Sequence, residues 1–298
     1  MNIIFFGTPD FAVPALNNLV NFGYNITAVV TQPEKPVGRA RVIMPSPIKK
    51  VALEKSIMVF EPHNLKRDEE FFKKFEHLNP DLCVVAAYGK IIPKRYLEIP
   101  KYGFLNVHPS LLPKYRGPSP VQTAILNGDV ETGVSIMLID QEIDHGPVLA
   151  SSKYQVVSSK GNVEISNELF KLGAKLLVET LPKYINGEIR PVAQNHRQAT
   201  FTKMFKREDG RIDWSKPTKE IYNQIRALNP EPGTWTMWKD KIINIKAASV
   251  KTSANQGKPT LEIEIIQMEG KKEMPFKEFL NGYPDFDPSP FKRKPLKR

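Results

Sequence analysis

The stretch Ile3-Ile4-Phe5-Phe6-Gly7-Thr8-Pro9-Asp10-Phe11 opens the chain with a run of large apolar residues and a turn. The apolar run predicts a buried strand, and the amphipathic stretch from Phe11 to Phe22 predicts a helix. A dinucleotide-binding fold would carry spaced glycines at this turn, but Pro9 and Asp10 occupy it instead. The stretch therefore predicts an α/β fold without a nicotinamide cofactor, and Asp10 is expected to cap the helix.

The same alternation of short apolar runs with amphipathic stretches continues along the first part of the chain. Strands are predicted at Ile3–Phe6, Ile26–Thr31, Leu82–Ala86 and Gly103–His108, and helices at Phe11–Phe22, Pro47–Lys55 and Asp68–His77. Such alternation is typical of a Rossmann-like, mostly parallel sheet with helices on both faces. Because ligands of these sheets bind beyond the carboxyl ends of the strands, we expect the functional site at that edge.

The later part of the chain predicts a second region. Residues 134–139 and 147–157 predict a strand pair, and Val163–Ile185 predicts a long helix. A helix, a Pro-Gly break and three strand-like runs follow at Lys219–Leu228, Asn229–Gly233, Thr234–Trp238, Ile242–Ala247 and Thr260–Met268. We predict a catalytic domain at 1–190, a linker at 191–207, a β domain at 208–282 and a basic, disordered tail at 283–298.

The composition is that of an ordinary globular protein, with 41% hydrophobic and 25% charged residues in a chain of 298. No apolar run approaches the ~18 residues of a membrane span. The N-terminus shows no basic leader and no small-residue cleavage site, so neither a signal nor a transit peptide is expected. The single cysteine, Cys83, excludes an internal disulfide, and a reducing cytoplasm is the expected location.

The net charge of +11 is unevenly distributed. Lys and Arg exceed Asp and Glu by 23 to 19 in residues 1–200 and by 20 to 13 in residues 201–298. A basic segment of this kind favours a polyanionic partner, with nucleic acid first. The alternative explanation is that all proteins of the source organism are rich in lysine, in which case the positive charge implies no partner.

Asn106 and His108 end the strand predicted at Gly103–His108, and Asp144 lies in the loop of the later strand pair. Side chains two residues apart in a strand leave on the same face, so the amide and the imidazole are expected to converge. With a carboxylate, they are the groups needed to move an acyl group between two nitrogens. The alternatives are a polar cap with an unrelated aspartate, and Ser110 acting as a nucleophile with His108.

The sequence offers few residues that could bind a metal ion. The five histidines and one cysteine include no His-x-x-x-His and no Cys-x-x-Cys pair. His108 with Asp144 and His145 could in principle hold an ion, but no metal is predicted.

The segment from Gln32 to Arg41 is rich in Pro and Gly and carries the cations Lys35, Arg39 and Arg41. It falls between a predicted strand and a predicted helix. Two interpretations stay open, a solvated loop and a mobile basic loop that contacts phosphates.

Six motifs follow one another along the chain. They are Phe6-Gly7-Thr8-Pro9-Asp10-Phe11-Ala12, Met44-Pro45-Ser46-Pro47-Ile48-Lys49, Ala87-Tyr88-Gly89-Lys90-Ile91-Ile92-Pro93, Asn106-Val107-His108-Pro109-Ser110-Leu111-Leu112-Pro113-Lys114-Tyr115-Arg116-Gly117, Ile143-Asp144-His145-Gly146 and Asn229-Pro230-Glu231-Pro232-Gly233-Thr234-Trp235. In this order the chain resembles the methionyl-tRNA formyltransferase family. Asn-x-His with a later Asp is shared by the wider folate-dependent formyltransferase superfamily, so that motif indicates the chemistry only. The basic loop and the C-terminal region point to tRNA.

The resemblance implies formyl transfer from 10-formyltetrahydrofolate to the α-amine of methionyl initiator tRNA by a cytoplasmic monomer without a metal. It assigns catalysis to Asn106, His108 and Asp144, folate binding to Tyr88, Ile92, Ser110, Leu111, Leu112 and Pro113, and tRNA binding to Lys35, Arg39 and Arg41. It also implies that the C-terminal domain is a small OB-like β-barrel. Two other interpretations stay open: a formyltransferase acting on an amino sugar nucleotide, and a non-catalytic RNA-binding homologue.

The chain departs from the family pattern in three places. Arg39-Ala40-Arg41 stands where many members carry adjacent lysines, and Pro109 stands where members often have a small residue. After Ala247 the later strands of the family are compressed into one clear candidate, Thr260–Met268. Whether the C-terminal barrel is complete is therefore left open.

For the reaction, we expect the amine to attack the formyl carbon directly. The Asn106 amide and an N–H of His108 would stabilise the negative charge that builds on the formyl oxygen. Asp144 would accept from the other ring nitrogen of His108 and orient the ring. His108 would protonate the departing folate nitrogen, directly or through water.

Overall fold

The computed structural model describes residues 1–37, 42–251 and 259–286, and it leaves the side chains of 35–37 and 42 undescribed. The chain divides into two compact units. The first comprises Met1–Pro120, Glu131–Gln155 and Ser166–Thr202, and the second comprises Val121–Val130, Val156–Ile165 and the chain from Lys203 onward.

Helices and strands alternate through the first half of the chain. The helices are α1 (Val13–Asn21), α2 (Pro47–Glu54), α3 (Glu69–His77), α4 (Lys94–Leu97), α5 (Pro120–Leu126), α6 (Asn162–Ile185), α7 (Thr218–Leu228) and α8 (Phe276–Gly282). The strands are β1 (Asn2–Gly7), β2 (Asn25–Val30), β3 (Lys35–Val37), β4 (Val42–Met44), β5 (Met58–Phe60), β6 (Leu82–Ala86), β7 (Phe104–His108), β8 (Glu131–Leu138), β9 (Val148–Gln155), β10 (Thr234–Trp238), β11 (Lys241–Lys251), β12 (Thr260–Met268) and β13 (Met274–Pro275). Across the described residues, no helix combines the length and apolar character needed to cross a bilayer.

The first unit is built on a seven-stranded sheet in the order β5-β2-β1-β6-β7-β8-β9. The pairs from β5 to β7 are parallel, and β8 and β9 add antiparallel strands at one side. The predicted Rossmann-like, mostly parallel sheet is therefore confirmed. The strand pair predicted at 134–139 and 147–157 corresponds to β8 and β9.

Successive residues of β1 face two different cores. Ile3 and Phe5 pack in a cluster that also holds buried residues of α1, α2 and α6. Ile4 and Phe6 pack in a second cluster with Phe75 of α3 and Tyr96 of α4. Helices therefore cover both faces of the sheet, as the alternation of strands and helices predicts. Each fully buried phenylalanine contributes about 1.5–3 kcal/mol to this packing.

The sheet topology places a ligand-binding edge at the ends of the central strands. The chain leaves β1 for β2 and β5 on one side, and it later adds β6 and β7 on the other. A reversal of this kind in an open α/β sheet creates a crevice at the carboxyl ends of the strands. Asn106 and His108 lie in the last three residues of β7, at this edge.

The second unit contains a four-stranded antiparallel sheet in the order β10-β11-β12-β13. Ile225 of α7 and Phe279 of α8 pack with strand residues such as Ile245 in its core. The C-terminal region thus contains the expected β-sheet, to which the part of the chain that the structure describes supplies four strands. The strand predicted at Ile242–Ala247 continues to Lys251, because β11 pairs with β12 from Ile243 to Lys251.

The core of the second unit extends to Phe286, past Tyr283, where the predicted tail begins. The Trp238 ring centre lies 5.5 Å from that of Tyr283 and 5.4 Å from that of Phe286. Phe286 is buried, so these aromatic residues add to the core. Residues 287–298 of the predicted tail lie outside the described ranges.

Candidate active site

Three polar side chains meet where β7 ends. Asn106 Nδ2 lies 3.4 Å from Asp144 Oδ1, and His108 Nδ1 lies 3.6 Å from the same oxygen. The His108 side chain is 5% exposed and that of Asp144 is 17% exposed. The structure thus brings the three predicted residues into one cluster at the sheet edge, and their catalytic roles stay a prediction.

A backbone contact sets the orientation of the His108 ring. His108 Nε2 lies 3.0 Å from the carbonyl oxygen of Tyr115. Because a carbonyl oxygen can only accept, Nε2 carries the proton of this bond, and Nδ1 is the nitrogen that faces Asp144. We expected Asp144 to accept from one ring nitrogen and the other ring N–H to face the formyl oxygen, and these roles stay a prediction. The Tyr115 carbonyl occupies Nε2, because the chain after β7 folds back over the imidazole within seven residues.

The Asp144 carboxylate is held by its backbone conformation and by one amide. Asp144 has a φ of 47°, in the left-handed region, where aspartate is tolerated better than most residues. The Gly117 N–H donates to Asp144 Oδ2 at 2.7 Å. The two carboxylate oxygens therefore have different surroundings: the backbone holds Oδ2, and Oδ1 faces Asn106 and His108.

Gln194 lies behind Asp144, although its segment was predicted to be an irregular linker. Its Nε2 donates to the carbonyl oxygens of Asp144 and Gly146, at 2.9 and 2.7 Å. Its Oε1 accepts from Nε and Nη2 of Arg116, at 3.1 and 2.7 Å. No sequence signal identified Gln194, because a glutamine in a polar segment has no distinctive spacing. Its burial and its hydrogen bonds single it out only in the structure.

The Ser110 hydroxyl is occupied by the turn that follows β7. Ser110 is fully buried, and its Oγ donates to the Lys114 carbonyl at 2.6 Å. Ser135 Oγ donates to the Ser110 carbonyl at 2.8 Å. A serine nucleophile requires a hydrogen bond to its base, whereas Ser110 and His108 each bond to a backbone carbonyl. The geometry therefore favours a structural role for the Ser110 hydroxyl.

The other residues assigned to folate binding form two groups. Residues 111–113 are half-buried beside Ser110. Tyr88 and Ile92 are buried in the core between the sheet and α3, where the Tyr88 ring centre lies 5.4 Å from that of Phe6. The Tyr88 carbonyl accepts from Gln32 Nε2 at 2.8 Å. The side chains of Tyr88 and Ile92 thus serve the core, and folate binding by either group stays a prediction.

Tyr88→Phe is expected to leave folate affinity unchanged and to keep or raise the melting temperature. The Tyr88 hydroxyl is buried, without a hydrogen-bond partner among the described residues, and burial raises its pKa above the ordinary value. An unsatisfied buried polar group costs about 1–3 kcal/mol, so its removal should not destabilise the protein. Thermal unfolding and a folate titration check this. A higher folate Kd in the variant would show that the hydroxyl contacts the ligand.

A cavity of about 500 Å³ opens on the loop between β8 and β9, which also carries Asp144. Residues 139–142 line it together with Lys94, Leu97 and Glu98. Leu97 and Ile139 contribute apolar surface, and the acidic side chains contribute hydrogen-bond acceptors. Five of the seven lining residues are polar or charged, so most of the cavity wall offers hydrogen-bond donors and acceptors.

The residues assigned to tRNA binding are mostly undescribed. Arg39 and Arg41 lie outside the described residues, and Lys35 is described by its backbone alone, in β3. Their role stays a prediction.

The second unit carries a basic and aromatic group of its own. The Arg207 and Arg211 guanidinium carbons lie 5.5 and 5.7 Å from the centre of the Trp235 ring. Cations interleaved with an aromatic ring are typical of surfaces that bind nucleic acid.

Two family models match the chain. Residues 1–181 match the formyl transferase model, and residues 204–260 match the model of the formyl transferase C-terminal domain. A Chloroflexus aggregans protein named methionyl-tRNA formyltransferase is 47% identical over 263 residues, which are 88% of this chain and 85% of the relative. A protein of the same name from Caldanaerobacter subterraneus subsp. tengcongensis is 40% identical over 300 residues, which cover 95% and 97%.

Solved structures share the fold. The methionyl-tRNA formyltransferase from Clostridium thermocellum superposes with a TM-score of 0.61 at 21% identity, covering 90% of this chain and 98% of its own. An N-formyltransferase from Helicobacter canadensis, solved with folinic acid and dTDP-3-aminofucose, gives a TM-score of 0.66 at 20% identity and covers 84% and 88%. At these identities the likeness establishes the fold alone.

Proposed function

Because this chain belongs to the formyl transferase family, and to the methionyl-tRNA formyltransferases within it, we propose that it transfers a formyl group from 10-formyltetrahydrofolate to the α-amine of methionyl initiator tRNA for translation initiation. The meeting of Asn106, His108 and Asp144 at the carboxyl edge of the sheet carries the proposal. The enzyme acts as a cytoplasmic monomer and uses no metal.

The reaction begins when the neutral amine attacks the formyl carbon. An α-amine has a pKa of about 7.7–8.0, so a useful neutral fraction exists near pH 7. The attack forms the new C–N bond and places negative charge on the formyl oxygen. Asn106 Nδ2 contacts Asp144 Oδ1 across 3.4 Å, a long hydrogen bond, so this donor is easily drawn to a nearby oxyanion.

His108 moves the proton through Nδ1, since its Nε2–H is committed to the Tyr115 carbonyl. Nδ1 takes the proton that the attacking nitrogen loses and delivers it to the folate nitrogen as the old C–N bond breaks. The amine thus loses one proton and the departing nitrogen gains one. Asp144 Oδ1, which lies 3.6 Å from Nδ1, accepts from the ring while it carries that proton.

The folate donor is held in the cavity on the loop between β8 and β9. Leu97 and Ile139 supply apolar surface for its flat ring system, and the polar side chains around them can bond its N–H groups. This loop leads directly to Asp144, so binding of the ring system places the formyl group near the catalytic residues.

Arg211→Ala is expected to raise KM for methionyl-tRNA while kcat stays close to wild type. The second unit is basic, and Arg211 lies over Trp235, where it can contact both a phosphate and a base. Loss of one phosphate contact should lower the slope of log affinity against log salt by about 1. Steady-state kinetics and binding at several salt concentrations check this, and we expect Arg39→Ala to behave in the same way.

The control for this prediction is Lys175→Ala, which removes an exposed cation from α6. It should leave KM and the salt slope unchanged. An Arg211→Ala variant with the salt slope of the wild type would contradict the role of this surface.

The proposed function itself is tested by incubating the purified protein with 10-formyltetrahydrofolate and either methionyl-tRNA or an amino sugar nucleotide. Formylation of the tRNA supports the proposal. Formylation of the sugar nucleotide alone would identify the runner-up enzyme. Binding of tRNA without any formylation would identify a non-catalytic RNA-binding homologue.

A further inference from the structure

The orientation of the Gln194 amide follows from its partners. A guanidinium has only donors, so the atom that Arg116 Nε and Nη2 approach must be the amide oxygen. The carbonyls of Asp144 and Gly146 have only acceptors, so they face the amide nitrogen. Arg116 therefore determines which end of Gln194 reaches the backbone on either side of His145.

Arg116 stands between the two residues that hold the catalytic side chains. Its neighbour Tyr115 accepts from His108 Nε2, and its other neighbour Gly117 donates to Asp144 Oδ2. The Arg116 side chain then returns to Asp144 through Gln194. The backbone and side-chain contacts form a closed ring, in which Asp144 is held at its carboxylate and at its carbonyl.

Arg116 is 3% exposed. Its guanidinium has no carboxylate within ion-pair distance among the residues that the structure describes. Its partners are the neutral oxygen of Gln194 and Nδ1 of His196, which lies 2.8 Å from Nη2. A buried cation without a carboxylate depends strongly on such partners. Gln194 is therefore the main acceptor for this charge.

We infer that Gln194, oriented by Arg116, is a positioning residue that holds Asp144 in its left-handed conformation and so aims Oδ1 at Asn106 and His108. The inference rests on the proposed function, because Asp144 is assigned to catalysis there. Gln194 touches the backbone of Asp144 rather than the reacting atoms. Its loss should therefore lower kcat and leave both KM values unchanged.

Gln194→Glu tests the role of the amide nitrogen while it keeps an oxygen that can accept from Arg116. A carboxylate still accepts from Arg116, but it cannot donate to the carbonyls of Asp144 and Gly146. We expect kcat to fall by about 10²-fold, the effect of a displacement near 1 Å at a catalytic group, while the new ion pair with Arg116 offsets part of the stability lost with the two hydrogen bonds. Gln194→Ala should show the same fall in kcat with a lower melting temperature.

The matched control is Gln198, which is exposed on the same segment and has no side-chain hydrogen bond recorded in the described part of the chain. Gln198→Glu and Gln198→Ala should keep the wild-type kcat. If the Gln194 variants fold poorly, Arg116→Lys keeps the positive charge but loses the paired donors to Gln194. It should lower kcat by about tenfold, as loss of a supporting contact does.

A second measurement separates this inference from the proposed function. The Gly117 amide donates to Asp144 Oδ2, so its hydrogen exchange, followed by NMR, reports the position of the carboxylate without any turnover. Faster exchange in Gln194→Glu than in Gln198→Glu supports the inference, even if the wild-type protein formylates no tRNA. Unchanged Gly117 exchange, or a wild-type kcat in Gln194→Glu of an active enzyme, would overturn it.

Discussion

His108→Ala should lower kcat for formylation of methionyl-tRNA by about 10²–10⁴-fold, the usual contribution of a general acid–base group. The variant loses the Nδ1 that carries the proton from the attacking nitrogen to the departing one. It also leaves Asp144 Oδ1 without the ring that lies 3.6 Å away. The effect should appear in kcat, because the imidazole acts on reacting atoms that change only after both substrates have bound.

His108→Gln tests whether the ring is needed as a proton carrier or only as a donor to the Tyr115 carbonyl. A glutamine amide can still donate to that carbonyl, but it does not take up a proton near neutral pH. We therefore expect this variant to remain nearly as slow as His108→Ala. A glutamine variant with wild-type kcat would show that His108 orients the turn after β7 and takes no part in proton transfer.

His77→Ala is the matched control, because His77 is exposed at the end of α3 and has no part in the site. Single-turnover formylation with saturating folate measures the chemical step in all three variants. A wild-type single-turnover rate in His108→Ala would contradict the proposed mechanism.

The elements around the site could be predicted from sequence because their periodicity is local. The apolar run of β6 and the positions of Asn106 and His108 in β7 follow from a period of two and from strand–helix alternation. Asp144 could be joined to them by the resemblance alone, since its place beside β7 depends on how β8 pairs with that strand. A sequence shows which residues have reactive side chains, but it does not show directly which distant strands pair with each other.

The surroundings of Asn106, His108 and Asp144 were not predicted from the sequence, for a physical reason. Tyr115 acts through its backbone carbonyl and Gly117 through its backbone N–H, and these groups are common to nearly all residues. Their side chains therefore carry no sign of these roles. Gln194 acts through its side chain, but it reaches the site because the segment after α6 returns to the sheet edge, where Val192 bridges Val148. Contacts of this kind emerge only when the whole first unit has folded.

Gly146, two residues after Asp144, occupies a position with no room for a Cβ. It is buried, and a Cβ built on it would lie 2.0 Å from the carbonyl oxygen of Leu138 and 3.0 Å from its carbonyl carbon. Both are backbone atoms at the end of β8, so no side-chain rotation can relieve the overlap. The Leu138 N–H also donates to the Pro147 carbonyl at 2.9 Å, which holds the two segments together.

Gly146→Ala should therefore displace the loop that carries Asp144 and lower kcat by about 10²-fold, because a shift near 1 Å spoils the alignment of the catalytic groups. The same overlap should cost about 1–3 kcal/mol of stability, as overpacking of a well-packed site usually does. Kinetics, thermal unfolding and hydrogen exchange of the Gly117 amide measure the three effects in one variant.

The control for Gly146→Ala is Gly282→Ala, where an added Cβ meets nothing within 4 Å. It should keep kcat, and the removal of a helix-terminal glycine should not destabilise the protein. Measurements well below the melting temperature distinguish a local displacement of Asp144 from unfolding of the whole protein. At a temperature where Gly146→Ala is fully folded, Asp144 has already moved, so kcat is low and the Gly117 amide exchanges quickly. Wild-type kcat at that temperature would mean that β8 moves away from the added Cβ and that the Asp144 loop keeps its position. That result would contradict the prediction.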